Sequence, residues 1–185
     1  QWFMKNKKYS TLAMRSVFKK IARSTREVQI QRTDKIKVGV VGEIYVKFSP
    51  MGNNDLKAFL ESQDCEVNMP GVMGYVEYCI ANFALDIQYY GGKKYMQAIW
   101  KMGLAVLDSL NNSMRKAMER YEFTGPGSFK KLMDGTKGII HLGAKMGEGW
   151  LLSGEMVELI RTGYPNIICA QPFGCLPNHI MGKGV

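Results

Sequence analysis

A short stretch near the carboxyl-terminal end gathers three side chains that can do chemistry. Cys175, Asn178 and His179 offer a thiol, an amide and an imidazole within five residues. They follow an apolar, β-branched run over 166–170 that predicts a buried strand. The loop after the carboxyl end of a strand is the place where α/β proteins bind ligands. We therefore expect the loop over 171–179 to belong to a functional site.

The thiol and the imidazole each have more than one interpretation. The Cys175 thiolate can ligate an iron–sulfur cluster or act as a nucleophile, or Cys175 can be a small buried hydrophobe. His179 can act as a base, or it can donate a hydrogen bond to a cluster sulfur. His141 lies in an apolar run, which predicts a core histidine. The other cysteines are predicted to be structural: Cys65, Cys79 and Cys169.

Two glutamates stand next to glycines in the sequence. Glu43 follows Gly42 near the end of the first predicted strand, and Glu148 stands between Gly147 and Gly149 before a predicted helix. Either carboxylate can do acid–base work. Glu148 can instead be favoured at its position by the helix dipole alone. Both remain candidate catalytic residues.

The elements that must position these residues alternate between strands and helices. Strand patterns cover 36–46 and 65–69, with a short helix pattern over about 55–62 between them. A strand–helix–strand unit implies parallel pairing. The sequence therefore predicts an incomplete Rossmann-like α/β fold. Further predicted helices cover 9–28, 72–90, 94–121 and 150–162, and the two central ones form a long helical insertion or a lid beside the sheet.

The positive charge is concentrated in a basic helical arm with its linker, residues 1–35, ahead of the Rossmann-like domain, residues 36–185. Residues 1–37 hold eleven Lys and Arg and two acidic residues, which accounts for the whole net charge of +9. A basic arm can bind nucleic acid or an acidic membrane. No nucleic-acid-binding motif accompanies it, and no apolar run has the length of a membrane span. We predict neither partner, and expect a solvated helix or one that meets an acidic surface elsewhere in the protein.

The cysteines and the chain ends suggest a piece of a cytoplasmic protein. Four cysteines without a Cys-x-x-Cys pair, together with thirteen methionines, suit a reducing cytoplasm. The chain opens on Gln1 and stops at Val185 in a predicted loop that truncates the domain, so we expect a fragment of a longer chain. Gly182-Lys183-Gly184 lacks the rest of a phosphate loop, and no nucleotide site is predicted.

Four stretches resemble the 2-hydroxyacyl-CoA dehydratase superfamily, in particular the dehydratase-like regions of acyl-CoA dehydratase activase-related proteins of anaerobes. They are 37–46, 66–71, 147–152 and 171–179, and the similarity runs from about residue 36 to residue 185. The last stretch is the most specific. Related dehydratase subunits also have a Pro-Phe-x-Cys-x-Pro-type loop after a strand.

The resemblance implies two Rossmann-like domains and a four-iron–four-sulfur cluster held by cysteines. A separate ATP-hydrolysing activase would donate an electron, the cluster would pass it to a 2-hydroxyacyl-CoA, and a ketyl radical would then lose water. Cys175 would be a metal ligand of the cluster or the relic of one, and Glu43, Glu148 and His179 would line the same cleft. The partners would be other domains or subunits of the parent system, with acyl-CoA as a possible ligand.

The chain also departs from the superfamily pattern. It lacks the first Rossmann-like domain, the remaining cysteines and the ATP motif of the activase. The resemblance therefore leaves two expectations open. The chain is either part of a dehydratase-type lyase or a non-catalytic docking or regulatory module of the same large protein.

Overall fold

A three-stranded parallel sheet flanked by helices forms the frame of the chain. The structure is a computed structural model that describes residues 10–31 and 33–184. The strands are β1 (Ile36–Gly42), β2 (Cys65–Asn68) and β3 (Asn166–Ala170). The helices are α1 (Thr11–Arg26), α2 (Ile44–Phe48), α3 (Pro50–Asn53), α4 (Leu56–Ser62), α5 (Val72–Tyr90), α6 (Lys94–Glu119), α7 (Phe129–Thr136), α8 (Gly149–Arg161) and α9 (Leu176–Asn178), and a π-helical turn follows (His179–Lys183). Within the described ranges no helix combines the length and apolarity of a membrane span.

The sheet has the order β2-β1-β3, so β1 lies in the centre. β1 pairs in parallel with both neighbours, with Val38 opposite Val67 of β2 and Val40 opposite Ile168 of β3. The strand–helix–strand prediction is confirmed, because α2, α3 and α4 connect β1 to its parallel neighbour β2. The fold is an incomplete Rossmann-like α/β fold.

Alternation along β1 separates two packing layers. Val38 and Val40 are buried and pack with Leu60 of α4 on one face of the sheet. Val41 points to the opposite face, where it packs with residues of α8. Successive side chains of a strand point to opposite faces, so a strand covered on both sides is apolar throughout. Each valine buried in this way contributes about 1.5–3 kcal/mol.

Helix α8 joins the sheet to the helical part of the fold. One side of it packs Leu152 and Leu159 against the sheet. The other side packs the fully buried Trp150 between Tyr78 of α5, with ring centroids 4.9 Å apart, and Phe129 of α7, at 5.9 Å. Because both sides are covered, the start of α8 is held in place relative to the ends of the strands.

The predicted strand over 36–46 is wrong beyond Gly42. β1 ends there, and Ile44 begins the short helix α2. The β-branched residues after Gly42 suggested strand, but Glu43 caps the helix, since its Oε2 accepts from the backbone N–H of Val46 at 2.7 Å. Gly42 allows the turn because its φ of 140° is open to glycine and a Cβ would stand 1.9 Å from the Ala170 carbonyl oxygen.

Two further predictions change in detail. His141 is wrong as a core histidine: it is exposed, and its Nδ1 accepts from the backbone N–H of Gly143 at 3.0 Å. The basic arm carries the predicted helix as α1, which packs against α6 with Val17 and Ala22 buried. Residue 9, where that prediction begins, lies outside the described residues.

Candidate functional site at the carboxyl edge of the sheet

The carboxyl ends of β1 and β3 bring two of the predicted site segments together. The strands are parallel neighbours, so both end at the same edge. The backbone N–H of Glu43 donates to the Ala170 carbonyl oxygen at 2.9 Å, which continues the pairing one residue beyond β1. Glu43 and the loop over 171–179 therefore leave the sheet side by side.

Glu148 connects the start of α8 to this edge. Its side chain is only 6% exposed. One carboxylate oxygen accepts from the backbone N–H of Ile44 at 3.0 Å, and the other accepts from Nδ2 of Asn178 at 3.2 Å. The side chain makes no capping hydrogen bond to its own helix. Glu148 thus links three segments, and the helix-dipole interpretation alone does not explain its place.

Asn178 is the residue that joins the carboxylate to the thiol. It is fully buried, and its Nδ2 also donates to Sγ of Cys175 at 3.0 Å. A carboxylate only accepts hydrogen bonds, so the side-chain nitrogen of Asn178, and not its oxygen, must face Glu148. The second hydrogen of that nitrogen can point to the Cys175 sulfur. The Oδ1 atom of Asn178 is buried and has no partner among the described residues. Asn178 is among the three candidate side chains of the loop over 171–179, but its sequence position alone predicts no role for it.

His179 lies on the same loop but has a different partner. Its Nδ1 is 3.0 Å from Nε2 of Gln171, and its backbone N–H donates to the Cys175 carbonyl oxygen at 3.0 Å. With Gln171 donating, Nδ1 accepts and Nε2 carries the ring proton. The structure therefore places His179 beside the Cys175 backbone and gives its ring no described contact with Glu43 or Glu148.

A buried ion pair lies behind this edge, between α2 and α8. Nζ of Lys47 is 3.2 Å from Oε2 of Glu155, and both side chains are 3% exposed. Burial raises the pKa of Glu155, and the Lys47 ammonium opposes that rise. Sequence reasoning missed this pair. The available signal was weak: Glu155 lies among apolar residues in the middle of α8, which also contains Glu158.

A separate cavity of about 440 Å³ opens where β2 ends. It is lined by the stretch from Val67 to Gly71, by the loop over 124–128 and by three glutamates: Glu77, Glu155 and Glu158. None of the four predicted site residues lines it. Glu155 belongs both to this cavity and to the ion pair with Lys47, so the cavity and the carboxyl edge share one buried residue.

Glu77 is a carboxyl group of the cavity whose pKa lies well above its ordinary value. Burial raises its pKa to about 7, although the hydrogen bond that it accepts from Nδ2 of Asn111 at 2.8 Å lowers it. Burial also raises the pKa of Glu158, against the effect of Lys131 and Arg115. Sequence reasoning missed both glutamates, because their environment forms only when α5, α6 and α8 pack together.

The described residues do not fit a complete iron–sulfur cluster. They contain no group of three or more His, Cys, Asp or Glu side chains that could together hold a metal ion. Burial raises the pKa of the Cys169 thiol, which favours its protonated form. Cys175 remains as one possible thiolate ligand, whereas such a cluster takes four.

The four stretches that carry the family resemblance occupy two places. Three of the stretches meet at the carboxyl edge, through Glu43, Glu148 and Cys175. The fourth stretch, over 66–71, lines the cavity. Comparisons with protein-family models, with curated proteins and with solved structures find no match to this chain. The resemblance therefore depends on those four stretches alone.

Proposed function

We propose that this chain is part of a 2-hydroxyacyl-CoA dehydratase or activase-related protein, and that Cys175 supplies one ligand to an iron–sulfur cluster. The other ligands would lie outside the chain. In such a protein the cluster supplies an electron to a CoA thioester. This chain would then form one side of a composite site.

The contact between Asn178 and Cys175 is the observation that supports this proposal most. A sulfur that accepts an N–H hydrogen bond carries negative charge well, and hydrogen bonds to ligand sulfurs tune the potential of iron–sulfur clusters. The donor is itself fixed by Glu148, so the geometry does not depend on a mobile surface group. The loop lies at the carboxyl edge of a parallel sheet, where ligands of α/β proteins bind.

The surroundings of the thiol support a composite site. Phe173 is fully exposed on the same loop, and Leu176 and Ile180 are more than half exposed. Large apolar side chains grouped on one loop are typical of surfaces that another protein segment covers. Two buried acceptors near them, Oδ1 of Asn178 and Oε1 of Gln171, have no described partner. A covering domain could supply the missing donors.

The remaining side chains divide into positioning and proton-transfer roles. Glu148 is a positioning residue, because both its oxygens are engaged by N–H donors. His179 is the better candidate for proton transfer, because its ring is only partly buried and has one described partner, Gln171. Glu43 keeps one carboxylate oxygen without a described partner, since only Oε2 caps α2. We propose His179 and Glu43 as the acid–base groups of the site.

Anaerobic iron and sulfide analysis of the full-length protein tests the proposal. Purified wild-type protein should be brown and contain iron, and Cys175→Ala should lose both. Cys65→Ala is the matched control, because Cys65 begins β2 at the opposite end of the sheet. Full-length protein without iron, or a Cys175→Ala variant that keeps the iron of the control, would contradict the proposal.

A second candidate function is a non-catalytic docking or regulatory module of the same large protein. It is favoured by the engagement of Glu148 with backbone and amide donors, which a purely structural role explains equally well. In this case the basic arm would bind an acidic partner surface. Complex formation would then weaken with added salt and would be the same for Cys175→Ala as for wild type.

A further inference from the structure

We propose that a cavity between α1 and α6 binds a small ligand through a phosphate or diphosphate group. The cavity has a volume of about 390 Å³. Arg15 and Lys19 line it from α1, Lys116 lines it from α6, and Arg120 lines it from the position directly after α6. This site is separate from the carboxyl edge and does not depend on the function proposed there.

The polar groups of the cavity are suited to an oxyanion. Oγ of Ser113 accepts from Nε of Arg15 at 3.1 Å, which turns the arginine side chain across the gap between the helices. The other guanidinium nitrogens of Arg15 have no described partner. Arginine offers several N–H groups in a fixed fork that matches phosphate oxygens, and lysine adds a compact charge.

No carboxylate balances these four cations within the described residues. Among the residues that the structure describes, the lining includes no acidic residue, and no ion pair joins any of the four to Asp or Glu. The acidic residues nearby are engaged elsewhere: Glu27 with Arg23, Glu119 with Arg115 and Glu122 with Arg26. The residues outside the described ranges include no Asp or Glu in their sequence, so they add no acidic side chain.

Helix electrostatics explain only half of this arrangement. Lys116 and Arg120 stand at the carboxyl end of α6, where the helix dipole favours cations. Arg15 and Lys19 lie on another helix and are brought there by packing. Like charges held near one another repel, and at exposed positions this repulsion is greatest at low ionic strength. A bound phosphate group would offset this repulsion.

Calorimetric titration of the full-length protein with inorganic pyrophosphate at low ionic strength tests the site. Wild type should bind in a saturable manner. Arg15→Gln and Arg120→Gln should each raise the dissociation constant by roughly tenfold or more, because each variant loses one charge-assisted contact. Lys101→Gln is the control, because Lys101 is an exposed lysine of α6 outside the cavity and should bind like wild type.

Thermal unfolding keeps the test independent of damage to the fold. Without ligand, Arg120→Gln should melt close to wild type, because the lost repulsion and the lost interaction with the α6 dipole oppose each other and no described side-chain contact is removed. Pyrophosphate should raise the melting temperature of wild type and of Lys101→Gln, and raise that of Arg120→Gln much less. Equal affinity in Arg120→Gln and Lys101→Gln, or no saturable binding by wild type, would overturn the proposal. Binding to vesicles that contain phosphatidic acid, without binding of pyrophosphate, would overturn it as well.

Discussion

The side-chain amide of Asn178 lies 3.2 Å from the Glu148 carboxylate, and this contact fixes the loop after β3 to the start of α8. The same nitrogen donates to Sγ of Cys175. Two segments that are distant in the sequence, the start of α8 and the loop after β3, therefore meet in one hydrogen-bonded group. Because Glu148 also accepts from the backbone N–H of Ile44, the end of β1 belongs to that group too.

Removal of the Asn178 amide should destabilise the protein. Asn178→Ala leaves a buried carboxylate oxygen without its donor, which costs about 1–3 kcal/mol. Asn178→Asp should cost more, because it brings a second carboxylate against Glu148. Urea unfolding measures both losses. Gln88→Ala, at an exposed position of α5, is the control and should change stability by less than about 0.5 kcal/mol. Equal stability of the Asn178→Ala and control variants would show that the contact between Asn178 and Glu148 does not stabilise the protein.

The buried pair of Lys47 and Glu155 should behave as a coupled unit. Lys47→Met leaves Glu155 buried without its counter-charge, and we expect a loss of about 3–5 kcal/mol. The double variant Lys47→Met/Glu155→Leu should regain most of that loss, because no charge then remains buried. A double-mutant cycle by urea unfolding measures the coupling. Additive losses would mean that the two side chains do not interact.

The carboxyl group of Glu77 should make stability depend on pH. Its folded-state pKa of about 7 lies above the ordinary value of 4.5, so the folded protein keeps a proton that the unfolded chain has released. The stability gained from this proton is fully present below about pH 4.5 and is lost as the pH rises through about 7. Glu77→Gln mimics the protonated form and can still accept from Asn111.

Urea unfolding at two pH values measures the Glu77 effect. Glu77→Gln should exceed wild type in stability at pH 8, and the difference should disappear near pH 4.5. The Asp108 carboxylate raises the pKa of Glu77 further, so Asp108→Asn should narrow the pH range over which stability falls. Glu61→Gln, on the exposed side of α4, is the control. A stability difference between Glu77→Gln and wild type that does not vary with pH would contradict the raised pKa of Glu77.

Gly42 should tolerate no side chain. Its φ is 140°, and a Cβ would stand 1.9 Å from the Ala170 carbonyl oxygen. We expect Gly42→Ala to cost more than about 2 kcal/mol, since it combines backbone strain with a clash against β3. Gly71→Ala is the control, because a Cβ added at Gly71 would meet nothing within 4 Å and its φ of −76° is ordinary. Thermal unfolding compares the two variants, and similar melting temperatures would contradict this account of the turn.

The frame of the fold could be predicted from the sequence, whereas the contacts within the site could not. The strand over 166–170 and the helix over 72–90 have the predicted bounds, because their apolar patterns and flanking turn residues are local signals. The strand prediction fails beyond Gly42, because the capping bond of Glu43 to Val46 starts a helix in spite of the β-branched propensity of that stretch. The sequence shows Glu155 and Glu77 as acidic residues within apolar helices. It does not identify their partners or their burial, because both depend on how the helices pack.

Chemical labelling of Cys175 tests the central claim most directly, because it needs no substitution. Full-length protein purified without oxygen is treated with iodoacetamide before and after its iron is removed with a chelator, and each cysteine is quantified by mass spectrometry. A cluster ligand is protected by its metal, so Cys175 should label only after iron removal, whereas Cys65 should label equally in both states. Equal labelling of Cys175 before and after chelation would contradict its role as a cluster ligand.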